Sequence, residues 1–225
     1  MPELDVFCAR ILGSGDAAAQ AAHRARGGSE DRIEQLAMAV ATCRAHGEPA
    51  EDGTLEGAAE DGTLGPSAGA APGLAETVAR ELAAATARLP QDQREALASR
   101  ELLGLSHEQI ARVVGIEGSA VAPLLAHARL ALRTEVRGAI EPAPDCPQRD
   151  RALRMMAQRQ DSEPLSDAGD TWLLEHLGEC AACNESHAAM LEASVCYRAW
   201  QVNDGPRERQ SASGTTPAAS NDAGR

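Results

Sequence analysis

Apolar residues recur at three- and four-residue intervals along most of this chain, the spacing that gives a helix one apolar face. In residues 4–46, Leu4, Cys8 and Ile11 share a face, with Phe7 and Leu12 beside it. GSGD breaks the pattern, and Asp16 can cap the next run, AAAQAAHRAR. Gly27 and Gly28 break it again. A third run follows Ser29 and Asp31, with Ile33, Leu36, Val40 and Cys43 (or Ala37) in a stripe. The prediction is a small unit of about three helices.

Periodicity stops over residues 47–73. EDGTL occurs at 51 and again at 60, and PSAGAAPG follows. Six acids lie between Glu48 and Asp61, and no basic residue occurs from Gly47 to Ala79. Such a segment cannot bury enough apolar surface to fold alone, so a disordered linker is expected. Helical periodicity returns strongly over 74–140. Residues 141–200 open on Pro-rich EPAPDCP, then carry two further helical stretches around the loop DSEPLSDAGD. From 201 onward the composition predicts a disordered tail.

Composition sharpens the fold class. The apolar fraction is carried by Ala, Leu and Val, and the aromatics are Phe7, Trp172, Tyr197 and Trp200. Ala- and Leu-rich, aromatic-poor segments favour helices over sheets. The expectation is an all-α protein with small cores. The formal charge is −13, and the 21 basic residues are all Arg. A chain this acidic can contact nucleic acid only through a local positive patch. MPELDVFCARIL has no basic start and no long apolar stretch, which argues against a signal peptide. No apolar run nears the roughly 18 residues that cross a bilayer. Six Cys without either feature point to a reducing cytoplasm, where clustered Cys bind metal or react more often than they form disulfides.

The stretch from Leu105 to Arg133 has the pattern of a helix-turn-helix. Ser106 precedes HEQIARVVGI and can cap it, with Glu108 or Gln109 completing a capping box. Ile110, Val113 and Val114 face inward. Gly115 tolerates the left-handed backbone of the turn, and Ile116 fills the angle between the helices. Ser119 opens the second helix, which buries Val121, Leu124 or Leu125, and Ala128. Arg129, Arg133 and Arg137 then fall at i, i+4 and i+8, one continuous basic face with His127 at its edge. A plain helical bundle with solvated Arg fits the same periodicity.

LPQDQREALASRELLGLSHEQIARVVGIEGSAVAPLLAHARLALR resembles the C-terminal, −35-reading domain of extracytoplasmic-function sigma factors. Leu89, Pro90, Gln93, Arg94, Glu95, Leu105, Ser106, Ile110, Ala111, Gly115, Ile116, Val121, Ala128 and Arg129 carry the likeness. The resemblance implies promoter DNA (a −35-like element) and core RNA polymerase as partners. Ser119, Ala120, His127, Arg129, Arg133 and Arg137 are then the candidate DNA contacts. The sequence departs from the family early in the reading helix. There it has Ala120, Ala122, Pro123 and Leu124, although base edges are read by Arg, Lys, Asn or Gln. Pro123 is tolerable only within a first helical turn. Residues 1–46 vaguely resemble the polymerase-gripping, DNA-melting domain of the same factors. The region is short, and it lacks the Trp and Tyr usual in the family's later helix. It reads as a truncated or diverged remnant.

HLGECAAC sets His176, Cys180 and Cys183 at i, i+4 and i+7, which on one helix project from one side. Zn²⁺ takes four tetrahedral N or S ligands. Cys146 is the fourth candidate if an antiparallel helix pair returns it; His187, four after Cys183, is another. A redox pair or unliganded buried Cys also fits the spacing. Trp172, Leu173, Leu177, Met190 and Trp200 read as core. The segment 140–200 resembles the zinc-binding anti-sigma fold, and that resemblance implies Cys146 as the fourth ligand. It also implies a structural Zn²⁺ open to thiol oxidation, and another sigma or anti-sigma factor as partner. Residues 141–200 carry 11 acids against five Arg, so such a module suits docking in cis on the Arg129–Arg133–Arg137 face.

No Gly-rich phosphate loop, nucleophile motif or paired catalytic carboxylates appear, so an enzyme is not expected. The sequence thus predicts a small helical N-terminal unit, a helix-turn-helix domain over 74–140 and a small zinc-binding helical domain over 141–200. Together they would form a cytoplasmic, sigma-type transcription regulator. A polymerase- or sigma-binding regulator without promoter recognition is the alternative.

Overall fold

The structure, a computed structural model, describes residues 2–13, 16–47, 74–138 and 146–203. The expected linker lies outside the described residues from 48 to 73, and the expected tail lies outside them from 204. The described residues are helical, with no strand among them. In chain order they form α1 (Pro2–Leu12), α2 (Asp16–Gly28), α3 (Arg32–Gly47), α4 (Leu74–Arg88) and α5 (Gln91–Leu97). A π-helical turn (Ala98–Leu102) leads to α6 (His107–Val114) and α7 (Gly118–Arg137), and then α8 (Arg149–Gln160), α9 (Asp167–Glu179) and α10 (Ala181–Asn203). No single described helix is long and apolar enough to cross a membrane.

Local signals set the helix-turn-helix. Ser106 accepts a bond from the Gln109 backbone N–H, and the Gln109 side chain accepts one from the Ser106 N–H, a complete capping box. Gly115 ends α6 at φ +74°, the left-handed region where a Cβ is penalised. The chain then turns so that α6 and α7 meet at 92°. α7 begins at Gly118, one residue before the expected Ser119. Pro123 is therefore the sixth residue of α7, beyond the first turn to which its tolerance was assigned. Having no N–H, it leaves the Ser119 carbonyl without its i+4 donor.

Three cores meet around α7. Val121 and Leu125 close one with Ile110, Val113 and Val114 of α6 and with Leu4, Phe7, Ile11, Leu36 and Val40 of the N-terminal helices. Ala128 and Leu132 join a second with Leu82, Ala85 and Leu89 of α4 and Ala193, Tyr197 and Trp200 of α10. Ala122 and Ala126 join the third with Ala152, Met155 and Met156 of α8, Leu173 of α9 and Met190 of α10. The sequence pattern predicts one buried stripe on this helix, with Leu124 and Leu125 as alternatives. Leu125 is fully buried and Leu124 only partly. The extra burial comes from alanines, whose short side chains seat α8 against α7.

Among the first three helices, Leu4, Phe7, Cys8 and Ile11 of α1 are buried as the spacing predicts, and so are Leu36, Val40 and Cys43 of α3. Arg44 ties this unit to the helix-turn-helix. Its Nε and Nη2 donate to the Glu95 carboxylate at 3.0 and 2.6 Å, and Nη2 also donates to the Val114 carbonyl at 2.8 Å. Glu95 is fully buried. Burial pushes its carboxyl pKa up, and Arg44 pulls it only part of the way back.

Candidate functional site

Two sites emerge: a thiol–imidazole cluster in the C-terminal helices and an ion-paired seam along α7.

The cluster joins Cys146, His176, Cys180 and Cys183, with one ligand atom from each lying within 4.8 Å of the others. Cys146 Sγ is 3.5 Å from His176 Nε2. On tetrahedral corners around Zn²⁺, S and N ligands lie roughly 3.5 to 3.8 Å apart, so this set needs little adjustment to hold a metal. His187 is not in the set. One expectation is corrected. His176, Cys180 and Cys183 are not on a single helix. α9 ends at Glu179, Cys180 adopts extended backbone (φ −103°, ψ 98°), and α10 begins at Ala181. His176 thus comes from the last turn of α9, Cys180 from the corner, Cys183 from the first turn of α10, and Cys146 from just before α8. The break lets both cysteines of the C-x2-C reach one point. The expected antiparallel return of Cys146 is supplied by α8 and α9.

The electrostatics suit a cation. A backbone N–H of Cys183 and the neighbouring thiols lower the Cys180 pKa. Burial, and then Cys180 and Cys146, push the Cys183 thiol up to about 12. The opposed shifts of Cys180 and Cys183 show that one thiolate opposes the next, and a cation at this point would relieve that repulsion. Trp172, expected as core, stacks on the His176 ring at 4.9 Å and 11° and fixes its plane. The Arg151 guanidinium lies 3.8 Å from the Trp172 ring centre.

The seam along α7 separates the predicted DNA contacts into two groups. Ser119, Ala120 and His127 are exposed on the open side of the helix. Arg129, Arg133 and Arg137 lie together, but on the side that α8 and α10 cover. Arg129 is fully buried. Its Nε and Nη2 donate to Glu101 at 3.1 and 2.8 Å, and its Nη1 and Nη2 donate to Asp161 at 3.2 and 2.5 Å. As folded, Arg129 presents no surface to a phosphate, which corrects its place in the expected solvent-facing stripe; Arg133 is partly exposed and Arg137 is exposed. The physical reason is that a buried guanidinium must be paired, and the C-terminal helices bring the acid. Arg137 Nε donates to Glu192 at 2.9 Å, and Arg133 Nε lies 3.6 Å from the same carboxylate.

Asp161, just after α8, is the residue the sequence reading missed. Its side chain is fully buried and collects three basic groups of the helix-turn-helix. Besides Arg129, Arg100 Nε donates at 3.0 Å and His107 Nε2 at 2.9 Å, the carboxylate being able only to accept. Burial raises the Asp161 carboxyl pKa, but bonds from His107 and Arg129 and the charges of Arg129 and Arg100 outweigh it and hold it at about 2. Two residues on, Glu163 accepts from the His107 backbone N–H at 2.7 Å, at the start of α6. The π-helical turn supplies the other end. It carries both Arg100, which reaches Asp161, and Glu101, which reaches Arg129. Glu101 also accepts from Ser194 and Arg198 of α10, at 2.8 and 2.7 Å. Magnitudes rank the contacts. Half-exposed pairs such as Arg137–Glu192 contribute at most about 1 kcal/mol, so the buried Arg129–Asp161–Glu101 group dominates the seam. The available signal was the excess of acids over 141–200. It did not single out one acid.

No curated protein and no solved structure matches the chain. Residues 79–132 match the family described as "Sigma-70, region 4". That family is a transcription-factor domain and not an enzyme, and it implies promoter DNA and RNA polymerase as partners. The four-ligand cluster outside the matched residues is compatible with zinc. The chain therefore carries a sigma-factor-like helix-turn-helix region, from α4 into α7.

Proposed function

We propose that this protein is a sigma-type regulator of transcription initiation. It reads a −35-like promoter element with α6 and α7, working with core RNA polymerase in the cytoplasm, and α8–α10 form a zinc-held, anti-sigma-like module that restrains it in cis. The observation that carries this reading is the seam. The basic groups of the reading helix best placed to hold DNA phosphates are occupied by carboxylates of the C-terminal helices, Arg129 by Asp161 and Arg133 and Arg137 by Glu192. Phosphates would have to compete with those acids. Zn²⁺ holds Cys146, His176, Cys180 and Cys183 together and so fixes the base of α10. Oxidation of the thiolates releases the metal and loosens the module.

A second reading has its own support. From Gly118 to Ala126 the reading helix has no Arg, Lys, Asn or Gln, and Ala122 and Ala126 are covered by α8. A regulator that touches polymerase or another sigma or anti-sigma factor, without reading a promoter, fits that half of α7.

Run-off transcription with core polymerase separates the two. The full chain and a Glu192→Arg variant, which opens the Arg133–Arg137 end of the seam, are compared at matched salt. Specific initiation that rises in the variant supports the first reading. Tight polymerase binding with no promoter-dependent product from either chain supports the second and overturns the first.

A further inference from the structure

A cleft of about 540 Å³ opens between α1, α4 and the end of α10, away from both the metal cluster and the seam. Its walls are aliphatic and aromatic, with Val6 on α1, Ala83 on α4 and Trp200 on α10. Three guanidiniums also line it: Arg10, Arg80 and Arg94. Arg10 is only 5% exposed, and its guanidinium carbon lies 3.0 Å from the centre of the Trp200 ring. Arg94 Nη1 donates to the Ala87 carbonyl at 2.9 Å, but its Nε is buried with no hydrogen-bond partner among the described residues. The one acid in the lining, Asp5, is already paired with Arg26, which lowers its carboxyl pKa. In a chain of charge −13, this is a locally positive hollow.

Each wall limits what can bind. A volume in this range suits a small molecule rather than a peptide helix. Three guanidiniums select an acidic head, and the aliphatic wall selects an apolar body. We propose that the cleft is a binding site for a small amphipathic organic anion. Its head lies among Arg10, Arg80 and Arg94, and its chain runs along α1, α4 and the Trp200 edge. Such a ligand touches the N-terminal helices, the helix-turn-helix domain and α10 at once, so it fastens all three together. The proposal stands apart from the transcription reading and survives if that reading fails.

The test uses the full chain and decanoate as probe, followed by isothermal calorimetry. Decanoate binds saturably, one per chain. Decanol, with the same body and no charge, binds at least about tenfold more weakly, the loss expected for a charge-assisted contact. Arg94→Gln weakens decanoate by about tenfold. Ala83→Trp, at an exposed position of α4, fills the cleft and removes binding. Absence of saturable binding overturns the proposal, as does equal affinity for decanoate and decanol, or unchanged affinity in Ala83→Trp. Circular dichroism checks the fold of each variant. If Ala83→Trp is unfolded, Arg80→Gln, at an exposed position in the middle of α4, decides: weakened decanoate binding upholds the site, and unchanged binding rejects it.

Discussion

Replacing Asp161 by Ala in the full chain removes the acceptor that three basic groups share. Both Asp161 and Arg129 have fully buried side chains, so water cannot take the place of the lost carboxylate. Breaking one side of a buried ion pair costs about 3 to 5 kcal/mol. Glu101 still holds Arg129, which puts the expected loss near the lower end, about 3 kcal/mol. A second route gives a similar size. The carboxyl pKa falls from an ordinary 3.8 to about 2 on folding, which corresponds to about 2 kcal/mol near neutral pH. That route counts ionisation alone and so comes out smaller. The sign follows from the direction. The folded pKa is depressed, so the contribution is fully present above the unfolded value near 4 and is lost as pH falls towards 2. Urea denaturation of the unaltered chain and of Asp161→Ala, across this range, reads both effects. Metal release at low pH is common to the two chains and cancels in their difference. A loss below about 1 kcal/mol near neutral pH, or a gap that stays constant down to pH 2, refutes the reasoning.

Three further outcomes follow from other sites. The purified chain carries one Zn²⁺, measured by atomic absorption; Cys183→Ser or a strong chelator removes it and lowers both helicity and Tm. Arg44→Ala strands the fully buried Glu95 and costs about 3 kcal/mol in urea denaturation, and adding Glu95→Gln recovers part of the loss. Gly115→Ala costs about 1 kcal/mol by the same assay. The site has φ +74° and nothing within 4 Å of an added Cβ, so only backbone strain is at stake.

How much of this was legible depended on how local each feature is. The Ser106–Gln109 box and the Gly115 turn involve neighbours in sequence, and their residue types alone imply the geometry. The gathering of Cys146, His176, Cys180 and Cys183 was legible in part by chemistry, although the spacing also fitted a redox pair or unliganded Cys. Their helical register was not, because C-x2-C on a helix and C-x2-C at a corner have the same spelling. The fate of Arg129 was hidden for a different reason. Its partners Glu101 and Asp161 lie 28 and 32 residues away, and nothing in either stretch marks one acid among many. Ala122 was read as an absent base contact, and Ala126 was not singled out. Their positive role, a seat for α8, exists only once α8 is beside them.

The last helix has a mechanical consequence. α10 runs unbroken from Ala181 to Asn203, with Cys183 at its base and Trp200 stacked under Arg10 near its tip. At about 1.5 Å per residue those two points stand about 25 Å apart. Between those points Ala193 and Tyr197 pack on α4 and α7, and Ser194 and Arg198 bond to Glu101, so the rod is held along its length and not only at its ends. One continuous helix thereby joins the thiol–imidazole cluster to the grip on the first helix.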